Sequence, residues 1–156
     1  MVGHRLGLEL LDADLSADAE GGRGHTHFAP PGSWFQPRRG SLRPAEKDFI
    51  ERVLTAFMAG YFAAARAGHV DREGSGYDLD QAIREWVRYL TDSPAERMGL
   101  LDEFARRAAE LVEKPENWRA IELVAGELLR KERLEGAEAL RLVDSNDPPQ
   151  RGGNRG

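Results

Sequence analysis

The sequence predicts a mainly helical fold, a helical bundle with a small β-ribbon at its N-terminal edge. Three observations lead there. Residues 44–143 carry apolar side chains at three- and four-residue spacing with few interruptions. Residues 1–43 lack that period and show two short strand-like stretches around a Gly-rich one. Proline or a capping residue opens several of the helical stretches. The chain therefore divides into a ribbon and loop over 1–43, a bundle over 44–143, and a polar Gly/Pro tail over 144–156 that reads as disordered.

Taken in order, "LELLDADL" and "GHTHFAP" read as the two strands of the ribbon, with turn chemistry in "SADAEGGRG" between them. "PPGSW" and "QPRRG" form an irregular loop. The first long helix runs from Pro44 to about Ala67. Phe49, Ile50, Val53, Leu54, Phe57, Met58, Tyr61 and Phe62 make its apolar stripe, and Gly68 ends it. A second helix spans Leu79 to about Thr91, with Ala82, Ile83, Trp86, Val87 and Leu90 inward. Ser93-Pro94-Ala95-Glu96 has the pattern of a capping box and opens a third, which buries Leu101, Phe104, Ala105, Ala108, Leu111 and Val112. Pro115 opens a fourth, with Trp118, Ile121, Val124, Ala125, Leu128 and Leu129 inward. "RLEGAEALRLV" gives a turn and a short last helix.

A chain of 156 residues fits one domain. With 40% hydrophobic and 31% charged residues it can fill one core and solvate its surface. A net charge of -5 argues against a general nucleic-acid surface. The absence of cysteine excludes disulfides, thiolate zinc sites and thiol nucleophiles. No run is apolar and long enough to span a bilayer, and no signal pattern opens the chain. The expectation is a soluble, cytoplasmic protein with no membrane segment.

Few residues offer chemistry. The four histidines are His4, His25, His27 and His69. His25 and His27 are expected to point to opposite faces of a strand, and so to be exposed ribbon residues and not a chelate. His69 is expected in a solvated loop. No serine has a His/acid pattern beside it, and "GSG" lacks the Lys-Ser/Thr ending of a phosphate loop. Asp78, in "GSGYDLDQAI", stands where the second helix begins. Its carboxylate can accept from the free N–H groups of the first turn, so it reads as a cap.

Together these pieces resemble the peptidase domain of FtsH-type membrane AAA proteases. The stretches that carry the resemblance are "HRLGLEL", "GRGHTHFAP", "FMAG" at 57–60, "GSGYDLDQA" at 74–82 and "ELLRKERLEGAEALRLV" at 127–143, in the family's order across nearly the whole chain. The resemblance implies a zinc metallopeptidase fold, with peptides or unfolded proteins as substrate and a homo-oligomeric assembly. It also implies that Asp78, in the Asp-Leu-x-x-Ala motif, is the third zinc ligand. In such a site two histidines of a His-Glu-x-x-His helix complete the ligands, the glutamate is the general base, and zinc activates a water.

The chain departs from the family in several places. It contains no His-Glu-x-x-His and no AAA ATPase domain, and "MVGHRLG" matches the end of the family's metal helix. His4, about five residues past the second ligand position, faces away from the metal at about 100° per residue and is not expected as a ligand. Tyr77 stands where the family has a small polar residue, Ile83 where it has threonine, and "AGYFAAA" lacks the usual acid. The chain as written is therefore expected to be inactive, with zinc bound only in a form that carries the metal helix. The alternative expectation is a non-catalytic helical interaction module that kept the fold. A third reading is a helical protein of unrelated function.

Overall fold

The structure, a computed structural model, describes residues 1–17, 23–68 and 83–146. Helix α1 (Val2–Arg5) is a single turn. Leu8 N–H donates to the Gly3 carbonyl and Gly7 N–H to the His4 carbonyl, both at 2.8 Å. This is a Schellman closure, and it needs a left-handed residue after the helix. Gly7 supplies it at φ 75°. The Leu6-Gly7 pair thus stops the helix and turns the chain into the sheet.

Strand β1 (Leu10–Ala17) pairs antiparallel with β2 (Arg23–Phe28), as the ribbon reading expects. The sheet has a third member. Strand β3 (Arg133–Glu135) pairs antiparallel with β1 on its other side, giving the order β2-β1-β3. The expected turn at "RLE" is corrected, because three residues are too few for an alternation signal to register. Among the described residues the sheet is open, with no barrel closure.

One irregularity decides which side chains face out. The ladder pairs Leu10 with Phe28 and then Asp12 with His27, so Leu11 is an extra residue on β1. Strict alternation would put Leu10, Asp12 and Asp14 on one face. The bulge resets the parity. Leu10 and Ala13 are buried, while Asp12 and Asp14 remain partly exposed.

Helix α2 (Pro44–Arg66) begins at a buried acid that the sequence reading did not single out. The Glu46 side chain is 2% exposed. It accepts from Arg43 N–H at 2.9 Å, from Gln36 N–H at 2.9 Å and from the Arg43 guanidinium at 2.6 Å. One carboxylate therefore satisfies the helix start and ties the preceding loop to it. The Arg43 side chain, then the Arg43 and Gln36 backbone N–H groups, hold the Glu46 carboxyl down at about 2. A depressed folded-state pKa stabilises the fold above the ordinary value of 4.5, and that contribution is lost as pH falls through about 2. Glu46→Gln is expected to be less stable than the parent at neutral pH and to show a flatter decline below pH 4.5. Denaturant titrations at several pH values check this, and parallel pH profiles for the two proteins would refute it.

The core lies between α2 and α3 (Pro94–Glu113). Ile50, Leu54 and Met58 from α2 meet Phe104, Ala108 and Val112 from α3, with Val2 and Ile83 closing the cluster. Residues 83–87 are helical, which is the described part of the expected second helix. The loop aromatics have a structural job. Phe35 packs on Phe49 with centroids 5.0 Å apart and on Trp86 at 5.9 Å, and Trp34 meets Phe49 at 5.8 Å. They staple the loop to α2. At the start of α3, Ser93 Oγ accepts from Glu96 N–H at 3.4 Å. The reciprocal half of the capping box runs through Thr91, whose hydroxyl donates to Glu96 at 2.6 Å and accepts from Ser93 N–H at 3.0 Å.

Helix α4 (Pro115–Lys131) follows after one residue. Buried Asn117 donates to the Leu111 carbonyl at 2.7 Å. Arg66 donates to the Val112 carbonyl at 2.9 Å and stacks 4.1 Å from the Trp118 ring centroid. The free carbonyls at the end of α3 are thereby partnered. The expected inward face of α4 is corrected in part. Asn117 and Ala120 are buried and Trp118, Ile121, Val124 and Leu128 half-buried, but Ala125 is exposed and Leu129 is 73% exposed. The helix shares its contacts among α3, the last helix and the sheet, so its buried stripe is narrower than its apolar stripe. Glu132 at φ 64° turns the chain into β3. The last helix, α5 (Gly136–Asn146), buries Ala139 and Val143 and runs three residues into the span expected to be disordered. Residues 147–156 lie outside the described residues. No helix described here is long and apolar enough to cross a membrane.

Candidate functional site

Asp78, the candidate zinc ligand, lies outside the described residues, as do the rest of its Gly-rich bend and His69. His4 sits on α1 and is partly exposed. Ala59 of the "FMAG" stretch is buried on α2, and Gly60 beside it is exposed. Ala59 therefore serves packing, and nothing lies against Gly60.

What the fold does bring together is on the outer face of the sheet. Asp12 and Asp14 of β1 and His27 of β2 each offer a ligand atom, and these atoms lie within 4.8 Å of one another. His27 Nδ1 and Asp12 Oδ1 are 2.5 Å apart. Arg133, from the far side of the sheet, donates to Asp12 Oδ2 at 3.0 Å and also lies 3.4 Å from Glu135. Asp12 is thus held from both sides, one oxygen toward the imidazole and the other toward the guanidinium. The His27 side chain is 55% exposed and that of Asp12 18%.

The sequence reading passed over this group, and its geometry for the histidines is corrected. Residues two apart in a strand lie on one face, not on opposite faces. The ladder sets His27 across from Asp12 and His25 across from Asp14. The available signal was Asp-x-Asp and His-x-His at equal spacing on either side of a Gly-rich turn. Reading it required the hairpin register, including the bulge at Leu11.

A shallow groove of about 280 Å³ runs between α1, α2 and α3. The charges on its walls balance, Asp48, Glu51 and Glu110 against Arg52, Arg107 and Lys114. Arg52 meets Asp48 at 2.9 Å and Arg107 meets Glu51 at 3.8 Å. A groove so neutralised gives no net attraction for an ionic ligand.

Compared with known proteins, the chain matches no family model, no curated protein and no solved structure.

Proposed function

We propose that this chain has the fold of an FtsH-type zinc peptidase domain, in which Asp78 is the carboxylate ligand of the metal. The observation that carries the reading is the meeting of two stretches from opposite ends of the chain. The Leu134-x-Gly136 segment docks on β1, immediately after the Leu6-Gly7 stop of α1. Leu134 is buried there, and Gly136 lies against the Leu10 carbonyl. Leu134 and Gly136 thus pack on the strand that follows the Leu6-Gly7 stop, which supports reading the two stretches as parts of one domain.

The 156 residues contain no His-Glu-x-x-His, so they offer one zinc ligand of three. No step of hydrolysis is derived from them, and the chain alone is expected to cleave nothing. Zinc, when held by a complete ligand set, supplies a Lewis acid and an activated water. The substrate class is then peptides and unfolded segments.

The test is a fusion that places a His-Glu-x-x-His helix before Met1 in continuous register with α1. It is expected to bind one zinc more than the 156-residue chain does and to cleave an unfolded, fluorescently labelled protein in a zinc-dependent way, with the additional zinc and the cleavage both lost in Asp78→Ala. A folded fusion that cleaves nothing, with zinc content indifferent to Asp78→Ala, would overturn the reading. A second reading, a non-catalytic interaction module, is favoured by Ile83. It stands where the family has threonine and is buried in the core. On that reading Asp78→Ala costs only a helix cap, about 1 kcal/mol.

A further inference from the structure

We propose that the outer face of the three-stranded sheet is a separate site for a divalent transition-metal ion, with Asp12, Asp14 and His27 as ligands and Arg133 positioning the Asp12 carboxylate. It shares no residue with the zinc site proposed above and does not depend on that reading.

Four observations carry it. The three donor atoms already lie within 4.8 Å of one another. They come from adjacent, paired strands, so the register of the ladder sets their spacing. The bulge at Leu11 turns both carboxylates outward. Finally, the second oxygen of Asp12 is held by Arg133 at 3.0 Å. A ligating carboxylate with its other oxygen hydrogen-bonded is the usual outer-shell arrangement of metal sites. The ladder also sets a second histidine, His25, across from Asp14.

The donor set selects the ion. Carboxylates alone would suit calcium or magnesium, whereas an imidazole shifts preference to zinc and its first-row neighbours. Zinc bonds of about 2.0 Å put neighbouring ligand atoms of a tetrahedron about 3.3 Å apart. The 2.5 Å contact between Asp12 Oδ1 and His27 Nδ1 must open, and the widest separation must close. These are side-chain adjustments of about 1–1.5 Å, on a solvent-facing surface where water fills the remaining coordination position.

The experiment uses the full 156-residue chain, stripped of metal and titrated with zinc by calorimetry and with cobalt by visible absorption. One equivalent of zinc is expected to bind. Asp14→Asn and His27→Ala should each weaken binding at least about tenfold, the low end for disturbing a metal site. Asp78→Ala should leave it unchanged. Far-UV circular dichroism confirms that each variant is folded, and His27→Gln, at an exposed edge-strand position, carries the test if Asp14→Asn fails to fold. The absence of saturable binding would overturn the proposal. So would binding that survives both sheet substitutions, or that is lost in Asp78→Ala alone.

Discussion

Gly136→Ala is expected to destabilise the protein by about 3 kcal/mol or more, the upper end for inserting one carbon into a packed site. The reason is backbone, not side chain. A Cβ at position 136 would overlap the Leu10 carbonyl oxygen and lie 2.7 Å from its carbon and 3.0 Å from the Leu11 oxygen. A flexible side chain can swing away from such a clash, but a ladder carbonyl cannot move without breaking its strand. Relief requires β3 to separate from β1. That would remove the Leu134 contact and the bond from Leu15 N–H to the Glu132 carbonyl at 2.8 Å. Urea denaturation measures the loss. Amide exchange locates it: Ala13 to Leu15 should lose protection before the α2 amides do. A loss under about 1 kcal/mol, with β1 still protected, would mean that β3 can shift without leaving the sheet.

Phe104→Ala is expected to cost about 3–5 kcal/mol. Phe104 is 1% exposed and belongs to the α2–α3 cluster with Ile50, Leu54, Met58 and Ile83. Removing the ring leaves a cavity that two long, packed helices cannot close by local collapse. A domain of this size has about 5–15 kcal/mol in total, so the variant should melt far below the parent or purify partly unfolded. Phe104→Leu keeps most of the volume and should cost less than half as much. Thermal unfolding of the three proteins ranks them, and equal losses for Ala and Leu would show that the ring's shape, not its volume, holds the cluster.

The helices were largely legible because their signals are local. The stripe Ile50, Val53, Leu54, Met58 repeats at helical spacing and is buried as that spacing demands. Pro44, Pro94 and Pro115 each stand at a helix start, where a missing N–H costs nothing. Gly68 follows the end of α2 at φ 81°. Where neighbours decide burial, the pattern overreached. Leu129 is apolar and in phase with the expected stripe of α4, yet it is exposed and no described element covers it. Glu46 was missed for the converse reason: an acid three residues into a helix reads as solvent-exposed until a loop from Gln36 folds over it.

The outer face of the sheet marks the boundary most sharply. Asp12, Asp14, His25 and His27 could be read from the chain as donor types at equal spacings. Which of them face one another depends on a register, and register is a relation between strands. The bulge at Leu11 shifts that register by one residue, and a one-residue shift exchanges the two faces of a strand. Arg133 reaches Asp12 across a separation of 121 residues. Helix positions, stops and core candidates follow from short-range periodicity, which each stretch carries within itself. The third strand, the buried Glu46 and the convergence of Asp12, Asp14 and His27 arise only when distant backbone segments pair, because no local period encodes the partner.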